Sequence, residues 1–338
     1  MKNIKYSMKV SIIIPVYNVH DYIINCLKSV MDQSYENIEC LIIDDGSKEN
    51  YGIGIIKNII AEYQGKIDFK LIILEENKGA SGARNHGISL ATGEYLYFLD
   101  SDDEITSHCI SLLVADLENH PNADLVQGNV LCENEVLMPD ISLNGKGFPD
   151  FSNDKSWIRN HLFLSLPIVP WNKLIKVELL RKESLYFYEG IVNEDVLWLF
   201  RLRKIVKSIV FNHEVTYLHK TNLNSVMNSP KNEIKRINSY LKILKIFISE
   251  IDIENKLADN FAILKHFMHN KLLVFFPENQ SYFARNFDEC LDLALNSVNV
   301  PWYYKIMYLI MKLPEKTYRS FNWVWKKYLG LLYRSSID

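Results

Sequence analysis

The chain has 338 residues, 48 % hydrophobic and 23 % charged, the composition of a folded globular protein with room for one large domain or two ordinary ones. Its formal net charge of −3 provides no basic field for a nucleic acid, so that class of partner is set aside. Five scattered cysteines (Cys26, Cys40, Cys109, Cys132 and Cys290) with no C-x-x-C pair read as a reduced, intracellular setting.

Val10 to Pro15 is a β-branched run closed by proline, the pattern of a central strand that breaks at its edge. His20 to Met31 has helical spacing, with Tyr22, Ile23, Cys26, Leu27 and Val30 on one stripe. Ile38 to Ile43 reads as a second buried strand and runs into Asp44-Asp45-Gly46-Ser47. A helix over Ile53 to Tyr63 and a strand over Phe69 to Leu74 follow. Gly79 opens a helix that extends to about Ala91, with Gly93 expected as its C′ glycine. Tyr95 to Leu99 is five apolar or aromatic residues in a row, and it ends in three carboxylates, Asp100, Asp102 and Asp103. A helix from about Thr106 to Glu118 and a strand over Ala123 to Val130 complete the series.

This alternation predicts an α/β fold with a mostly parallel central sheet and helices on both faces. Beyond Cys132 the pattern loosens. Residues 133–155 are loop-like, 156–220 mix short helices and strands, and from about Lys231 the chain is almost all helix, through Ile234–Ile248 and Leu257–Phe276. The expected domains are one over 1–227, with halves 8–130 and 131–227, and a helical region over 228–338.

In open α/β sheets, ligands bind outside the carboxyl ends of the strands. Tyr17 lies just past the first strand, where it can stack on a flat base, or be a plain loop aromatic. Asp45 lies past the second, where it can accept from a base imino group, or open an Asp-Gly turn. Asp100 and Asp102 lie past the fourth, where oxygen ligands suit Mg²⁺ or Mn²⁺ held against a phosphate, unless the acids merely cap the next helix. The Gly79–Asn85 segment supplies a helix N-terminus suited to an anion, with Arg84 as a phosphate fork. It fits neither G-x-x-x-x-G-K-[ST] nor G-x-G-x-x-G, so metal and carboxylates are expected to hold phosphate in place of a glycine cradle. A second acid cluster, Asn193-Glu194-Asp195, precedes the all-apolar run Val196–Phe200. It reads as a helix cap or as a general base held by a buried helix.

As an ordered set, Val10–Asn18, Ile43–Ser47, Asn77–Gly87 and Asp100–Asp103 resemble the signature series of the family 2 inverting glycosyltransferases of bacterial surface-polysaccharide type, which have a GT-A fold. Trp171-Asn172-Lys173-Leu174 and Glu194-Asp195 resemble that family's acceptor-side motifs, so the resemblance covers about residues 8–227. It implies that Tyr17 and Asp45 hold the uracil of a UDP-sugar. Asp100 and Asp102 would form the D-x-D motif, with Asp102 the direct ligand of Mn²⁺ or Mg²⁺ and Asp103 near the sugar. Pro15, Lys78, Gly79, Arg84 and Ser101 would complete the donor side, and Trp171, Asn172, Lys173 and Glu194 the acceptor side. Asp195 would be the base. Where members often carry Arg-rich text after the Tyr of a late strand, this chain has Tyr217-Leu218-His219-Lys220. His219 is therefore a candidate third metal ligand or diphosphate contact, against the plainer reading of a structural histidine.

Pro301 to Asp338 carries seven basic side chains against two acids among many Trp and Tyr, a net +5 in a chain that is −3 overall. That reads as an amphipathic surface for an anionic membrane, or as a helix pair packed on the body or on a partner. His266 and His269 have no acid or Cys paired with them and read as structural. The polar stretch Met1 to Lys9 is unlike a signal peptide, and no stretch reaches 18 consecutive apolar residues. The expectation is a cytoplasmic enzyme, peripheral on the inner membrane face, that moves sugar from a UDP-sugar to a lipid-linked saccharide acceptor; a homodimer is left open. Two rivals stand beside it. A non-catalytic nucleotide-sugar-binding subunit is disfavoured by the full acid set. A nucleotidyltransferase is disfavoured because Val16–Val19 is not a Gly-rich basic loop.

Overall fold

A computed structural model describes residues 8–19, 22–48, 52–133, 142–144, 147–220 and 233–250. The chain divides into two compact units, 1–239 and 240–338. His266, His269, Cys290, the helix expected over Leu257–Phe276 and the basic C-terminal segment lie outside the described residues.

The first strand, β1 (Val10–Val16), is buried almost throughout because Ile12, Ile13 and Ile14 have neighbours on both faces. It pairs in parallel with β2 (Ile38–Asp44) on one side and β4 (Tyr95–Phe98) on the other; β3 (Asp68–Ile73) continues the sheet beyond β2. Between them run α1 (Tyr22–Met31), α2 (Ile53–Glu62) and α3 (Gly79–Leu90), and α3 packs on β1 and β2. The apolar stripe of α1 is buried as its spacing requires, through Ile23, Cys26, Leu27 and Val30.

After β4 comes the short β5 (Glu104–Ile105), then α4 (Cys109–Asn119), β6 (Leu125–Cys132), β7 (Phe151–Ser152), α5 (Lys155–Leu164), β8 (Lys173–Lys176), α6 (Val177–Lys182), α7 (Glu194–Ile205), β9 (Ile209–His219) and α8 (Glu233–Ser249). Among the described residues the sheet has nine strands in the order β3-β2-β1-β4-β8-β6-β9-β5, with β7 paired to β9. Six of them, β1 to β4, β6 and β9, run the same way, so the sheet is mostly parallel as expected. The alternation did not foretell that β8 separates β4 from β6 and is antiparallel to both.

That reversed strand matters for the site. Because β8 starts where β4 ends, with Tyr97 opposite Leu174, it delivers Trp171, Asn172 and Lys173 to the edge where Asp100 emerges. Strand β9 runs parallel to β6 and ends at the same edge with Tyr217 and His219. The chain leaving β4 crosses to this end of β9, where Glu104 and Ile105 pair with Leu218 and Tyr217.

Two local expectations change. Helix α3 ends on Ala91 in an extended conformation, so Gly93 is not its C′ residue. Gly93 is glycine because a Cβ there would meet the Ser11 nitrogen at 2.7 Å and the Lys9 carbonyl at 2.8 Å. The close approach lets Gly93 N–H donate to Ser11 Oγ (2.9 Å), while Ser11 Oγ donates to the buried Glu39 carboxylate (2.6 Å). Burial works against that carboxylate, but hydrogen bonds from Ser11 and Thr92 outweigh it and hold Glu39 down to about 2. Asp102 and Asp103 do not cap the next helix either: His108 is the N-cap of α4.

Candidate active site

The ends of β1 and β2 build one wall. Asp45 N–H donates to the Val16 carbonyl (2.8 Å), which locks the two strand exits together. Asn18 takes a left-handed backbone (φ 48°) and its N–H donates to Ser47 Oγ (2.7 Å), so Tyr17 between them stands out from the edge, 46 % exposed. Asp45 itself is buried. Its Oδ1 accepts from Lys78 N–H (2.7 Å), whereas Oδ2 has no partner among the described residues. Burial raises the Asp45 pKa against the opposing pull of the Lys78 and Gly79 amides. The start of α3, expected to greet a diphosphate, is thus already greeting a carboxylate of the protein. Gly79 adopts φ +72°, a left-handed turn that glycine enters without strain.

Arg84 differs most from expectation. It is buried, and its two terminal nitrogens reach different acids: Nη2 to Asp100 Oδ1 (2.9 Å) and Nη1 to Glu194 Oε1 (2.8 Å). The fork is spent on carboxylates, not left open for phosphate. It joins the acids after β4 to those opening α7, and the guanidinium carbon lies 5.3 Å from the Phe187 ring centroid. Phe187 in turn stacks on Trp198 of α7, with centroids 4.7 Å apart and planes 4° apart. Asn85 fixes that segment through bonds to both the amide and the carbonyl of Phe187.

The acids after β4 take different roles. Asp100 is part-exposed at the edge. Asp103, expected near the sugar, is buried with both oxygens engaged: Oδ2 accepts from Tyr217 O–H (2.6 Å) and Oδ1 from Lys220 N–H (2.8 Å). Burial first, then the neighbouring Asp100, pushes Asp103 up to about 8. Tyr217 O–H also accepts from Asp100 N–H at 3.4 Å, so one phenol on β9 holds both ends of the acidic turn. Lys220 pairs its Nζ with Glu104 at 3.3 Å.

Trp171 stacks flat on Tyr217, with centroids 4.2 Å apart, and at 5.8 Å on His219. Asn172 (φ 57°) is fully buried; its Oδ1 accepts from Thr216 and Tyr97 hydroxyls and its Nδ2 donates to the Asn129 carbonyl. Lys173 is fully buried too, with Nζ donating to the carbonyls of Val169 (2.8 Å) and Trp171 (3.3 Å). Asn172, Lys173 and Asp103 therefore hold the site together from within; none presents a free side chain to a substrate.

Asn193, the N-cap of α7, is in the left-handed region (φ 60°) and turns Glu194 and Asp195 into the crevice side of Arg84. Asp195 Oδ1 accepts from Val196 N–H (2.9 Å). Burial, then the negative Glu194, holds the Asp195 pKa well above the usual carboxylate range, with Arg84 pulling the other way. A carboxylate tuned upward is suited to take a proton near neutral pH.

Among the described residues no group of three His, Cys, Asp or Glu side chains is assembled to enclose an ion, so Asp100, Asp102 and His219 do not make a closed metal centre. His219 feels Asp102 and Asp100, although burial dominates and lowers its pKa. A few carboxylate oxygens at an edge, one already shared with Arg84, fit a hard ion such as Mg²⁺ or Mn²⁺, which takes one or two protein carboxylates and completes its shell with water and phosphate. They do not fit a structural zinc site. Sequence reading had not singled out Tyr217 or Asn85; the one signal was that Tyr217 and His219, two apart on a strand, share a face.

The chain belongs to glycosyl transferase family 2 and is a glycosyltransferase: the model of that family matches residues 11–157, and a named glycosyltransferase is 30 % identical and covered over 73 % of its length. That relative, glycosyltransferase GlyG of Streptococcus pneumoniae serotype 4, is 30 % identical over 231 residues, which cover 65 % of this chain and 73 % of GlyG. In structure the chain is similar to residues 1–349 of S. aureus TarS in complex with UDP-GlcNAc, with a TM-score of 0.63 at 19 % identity over 85 % of this chain and 82 % of that one. It is also similar to the mannosyltransferase PcManGT from Pyrobaculum calidifontis in complex with GDP-Man and Mn²⁺, with a TM-score of 0.57 at 15 % identity over 94 % and 84 %. At those identities the likeness is one of fold, and the fold is of the GT-A type.

Proposed function

We propose that this glycosyltransferase transfers a sugar from a UDP-sugar to a hydroxyl of a glycan acceptor, with inversion, using a divalent ion, in the synthesis of a surface polysaccharide on a lipid carrier. The observation that carries the reading is the edge itself. The Asp45 oxygen without a partner among the described residues, beside exposed Tyr17, follows β2, the Asp100–Asp102 pair follows β4, and Arg84 bridges Asp100 to Glu194, the neighbour of Asp195. TarS, solved with UDP-GlcNAc, supports a uridine donor, and PcManGT, solved with Mn²⁺, supports the ion.

In this reading Tyr17 stacks on the base and Asp45 Oδ2 accepts its imino proton. Asp102, with Asp100 and His219, would hold Mn²⁺ or Mg²⁺, which would supply positive charge against the leaving nucleoside diphosphate. Asp195 takes the proton of the acceptor hydroxyl as that oxygen attacks the anomeric carbon from the side opposite the diphosphate. One displacement inverts the anomeric configuration. The region beyond residue 227 would carry the membrane contact. Among the described residues no helix is long and apolar enough to cross a membrane.

The test is UDP release from UDP-glucose, UDP-galactose, UDP-N-acetylglucosamine and UDP-N-acetylgalactosamine with Mn²⁺, for wild type, Asp102→Ala and Asp195→Asn. The expected result is slow turnover of one donor, abolished by chelation and by Asp102→Ala. Asp195→Asn should bind UDP as wild type does yet turn over at least about a hundredfold more slowly, the scale of a lost general base. Failure of every UDP-sugar to bind, with or without metal, would sink the uridine assignment.

A further inference from the structure

Helix α7, which carries the proposed base, opens without a side-chain cap: Asn193 bonds none of the first amides, and its Oδ1 has no partner among the described residues. Two other contacts steady this end. One is the bond from Arg84 to Glu194 (2.8 Å). The other is Trp198, three positions after Asp195 and so on the same face of the helix. Its indole N–H has no partner among the described residues, so packing and not a hydrogen bond sets its place. The rings against it are Phe187, stacked at 4.7 Å, and Phe98 of β4, edge-on at 5.9 Å. Phe187 meets both contacts, since the Arg84 guanidinium lies over its ring at 5.3 Å. Phe187 is itself held from α3. Asn85 Oδ1 accepts from Phe187 N–H (2.7 Å), and its Nδ2 donates to the Phe187 carbonyl (2.9 Å) and to Glu189 Oε1 (3.2 Å). One turn earlier on α3, Ser81 Oγ donates to the Tyr188 carbonyl (3.1 Å). Phe187 is buried, so water is poorly placed to replace these bonds.

We propose that Asn85 is a positioning residue for Asp195: its amide clasps the Phe187 backbone, and Phe187, in contact with the Arg84 guanidinium and the Trp198 indole, sets the start of α7 and with it the carboxylate that takes the acceptor proton. The inference rests on the reading of Asp195 as base. Asn85 touches neither donor nor acceptor in that reading, so its loss is felt in the rate and not in donor binding. The residue acts through a two-sided bond to one peptide unit, which no side chain without both a donor and an acceptor reproduces.

The experiment is UDP release, with water as acceptor and the UDP-sugar that wild type turns over, for wild type, Asn85→Ala, Asn85→Asp, Asp195→Asn and the double variant Asn85→Ala with Asp195→Asn. Thermal melting and UDP affinity serve as controls for folding. Asn85→Ala is expected to keep UDP affinity and KM within about twofold of wild type while kcat falls about tenfold or more, the scale of a displaced reacting group. Asn85→Asp keeps the acceptor for Phe187 N–H and loses the donor to its carbonyl, so its kcat should lie between the two. On top of Asp195→Asn, the Asn85→Ala change is expected to alter turnover by less than about twofold, because two residues that act through one group are not additive. A folded Asn85→Ala with wild-type kcat, a raised KM in place of a lowered kcat, or the full loss repeated on top of Asp195→Asn overturns the proposal. If Asn85→Ala does not fold, wild-type kcat in Asn85→Asp overturns it. If neither folds, the clasp serves the fold and the proposal fails. Wild-type turnover by Asp195→Asn, or no turnover by wild type with any UDP-sugar, refutes the underlying reading of the site instead.

Discussion

Replacing Arg84 with Met removes the cation that lies between Asp100 and Glu194. The Arg side chain is 7 % exposed, and the two acids keep 28 % and 15 % of theirs, so water can compensate only a part of the loss. Breaking a buried pair by removing one partner costs about 3–5 kcal/mol because the surviving charge is stranded. The part-exposure of Asp100 puts this site at the low end, about 3 kcal/mol. For a unit of this size that corresponds to a fall in Tm of roughly 6–12 °C. Urea unfolding followed by tryptophan fluorescence reads the change directly, since Trp171 and Trp198 are both buried in this region. Neutralising one stranded acid should restore part of the loss: Arg84→Met with Glu194→Gln is expected to be more stable than Arg84→Met alone by about 1 kcal/mol or more. A single variant within about 1 kcal/mol of wild type, or a double variant no better than the single, would refute the role of Arg84 as a buried bridge.

Two further outcomes follow from the packing. Asp103 has its pKa raised from the unfolded value of 3.8 to about 8, so between those values the folded state holds the proton more tightly. Stability from this group therefore declines as pH rises through that window and levels off above about 8. Asp103→Asn keeps a donor and an acceptor for Tyr217 and Lys220 without titrating. Its stability relative to wild type should rise between pH 5 and pH 8 in urea titrations, and a constant difference would contradict the raised pKa. Gly93→Ala places a methyl against the backbone of Lys9 and Ser11, where the contacts are 2.8 Å or shorter. It should cost about 1–3 kcal/mol in the same assay, against the few tenths gained if Gly93 were only a flexible linker residue.

The first four parallel strands were legible because their code is local. A run such as Ile12-Ile13-Ile14 or Leu96-Tyr97-Phe98 admits little besides a strand buried on both faces, and both runs are fully buried. Asp45 was equally readable, since an acid just past a parallel strand must emerge at the ligand-binding edge. Arg84 was not. Its position at the start of α3 pointed to an anion, but which anion depends on Asp100, sixteen residues away, and Glu194, more than a hundred away. The Trp171–Lys173 motif also misled, because side-chain direction at the start of β8 follows from its antiparallel pairing with β4. No local pattern records that pairing.

By itself the sequence determined the first four strands, the helices between them, α4 and β6, though not the short β5, and it gathered the acids at one sheet edge, since these depend on hydrophobic period and residue type within a few positions. Tertiary structure alone decided which acids stay available and which are consumed. It buried Asp103 under Tyr217, spent Arg84 on two carboxylates, and enclosed Lys173 against the Val169 and Trp171 carbonyls. The physical reason is that hydrogen bonding, desolvation and charge pairing act between side chains that only the fold brings within a few ångströms of each other.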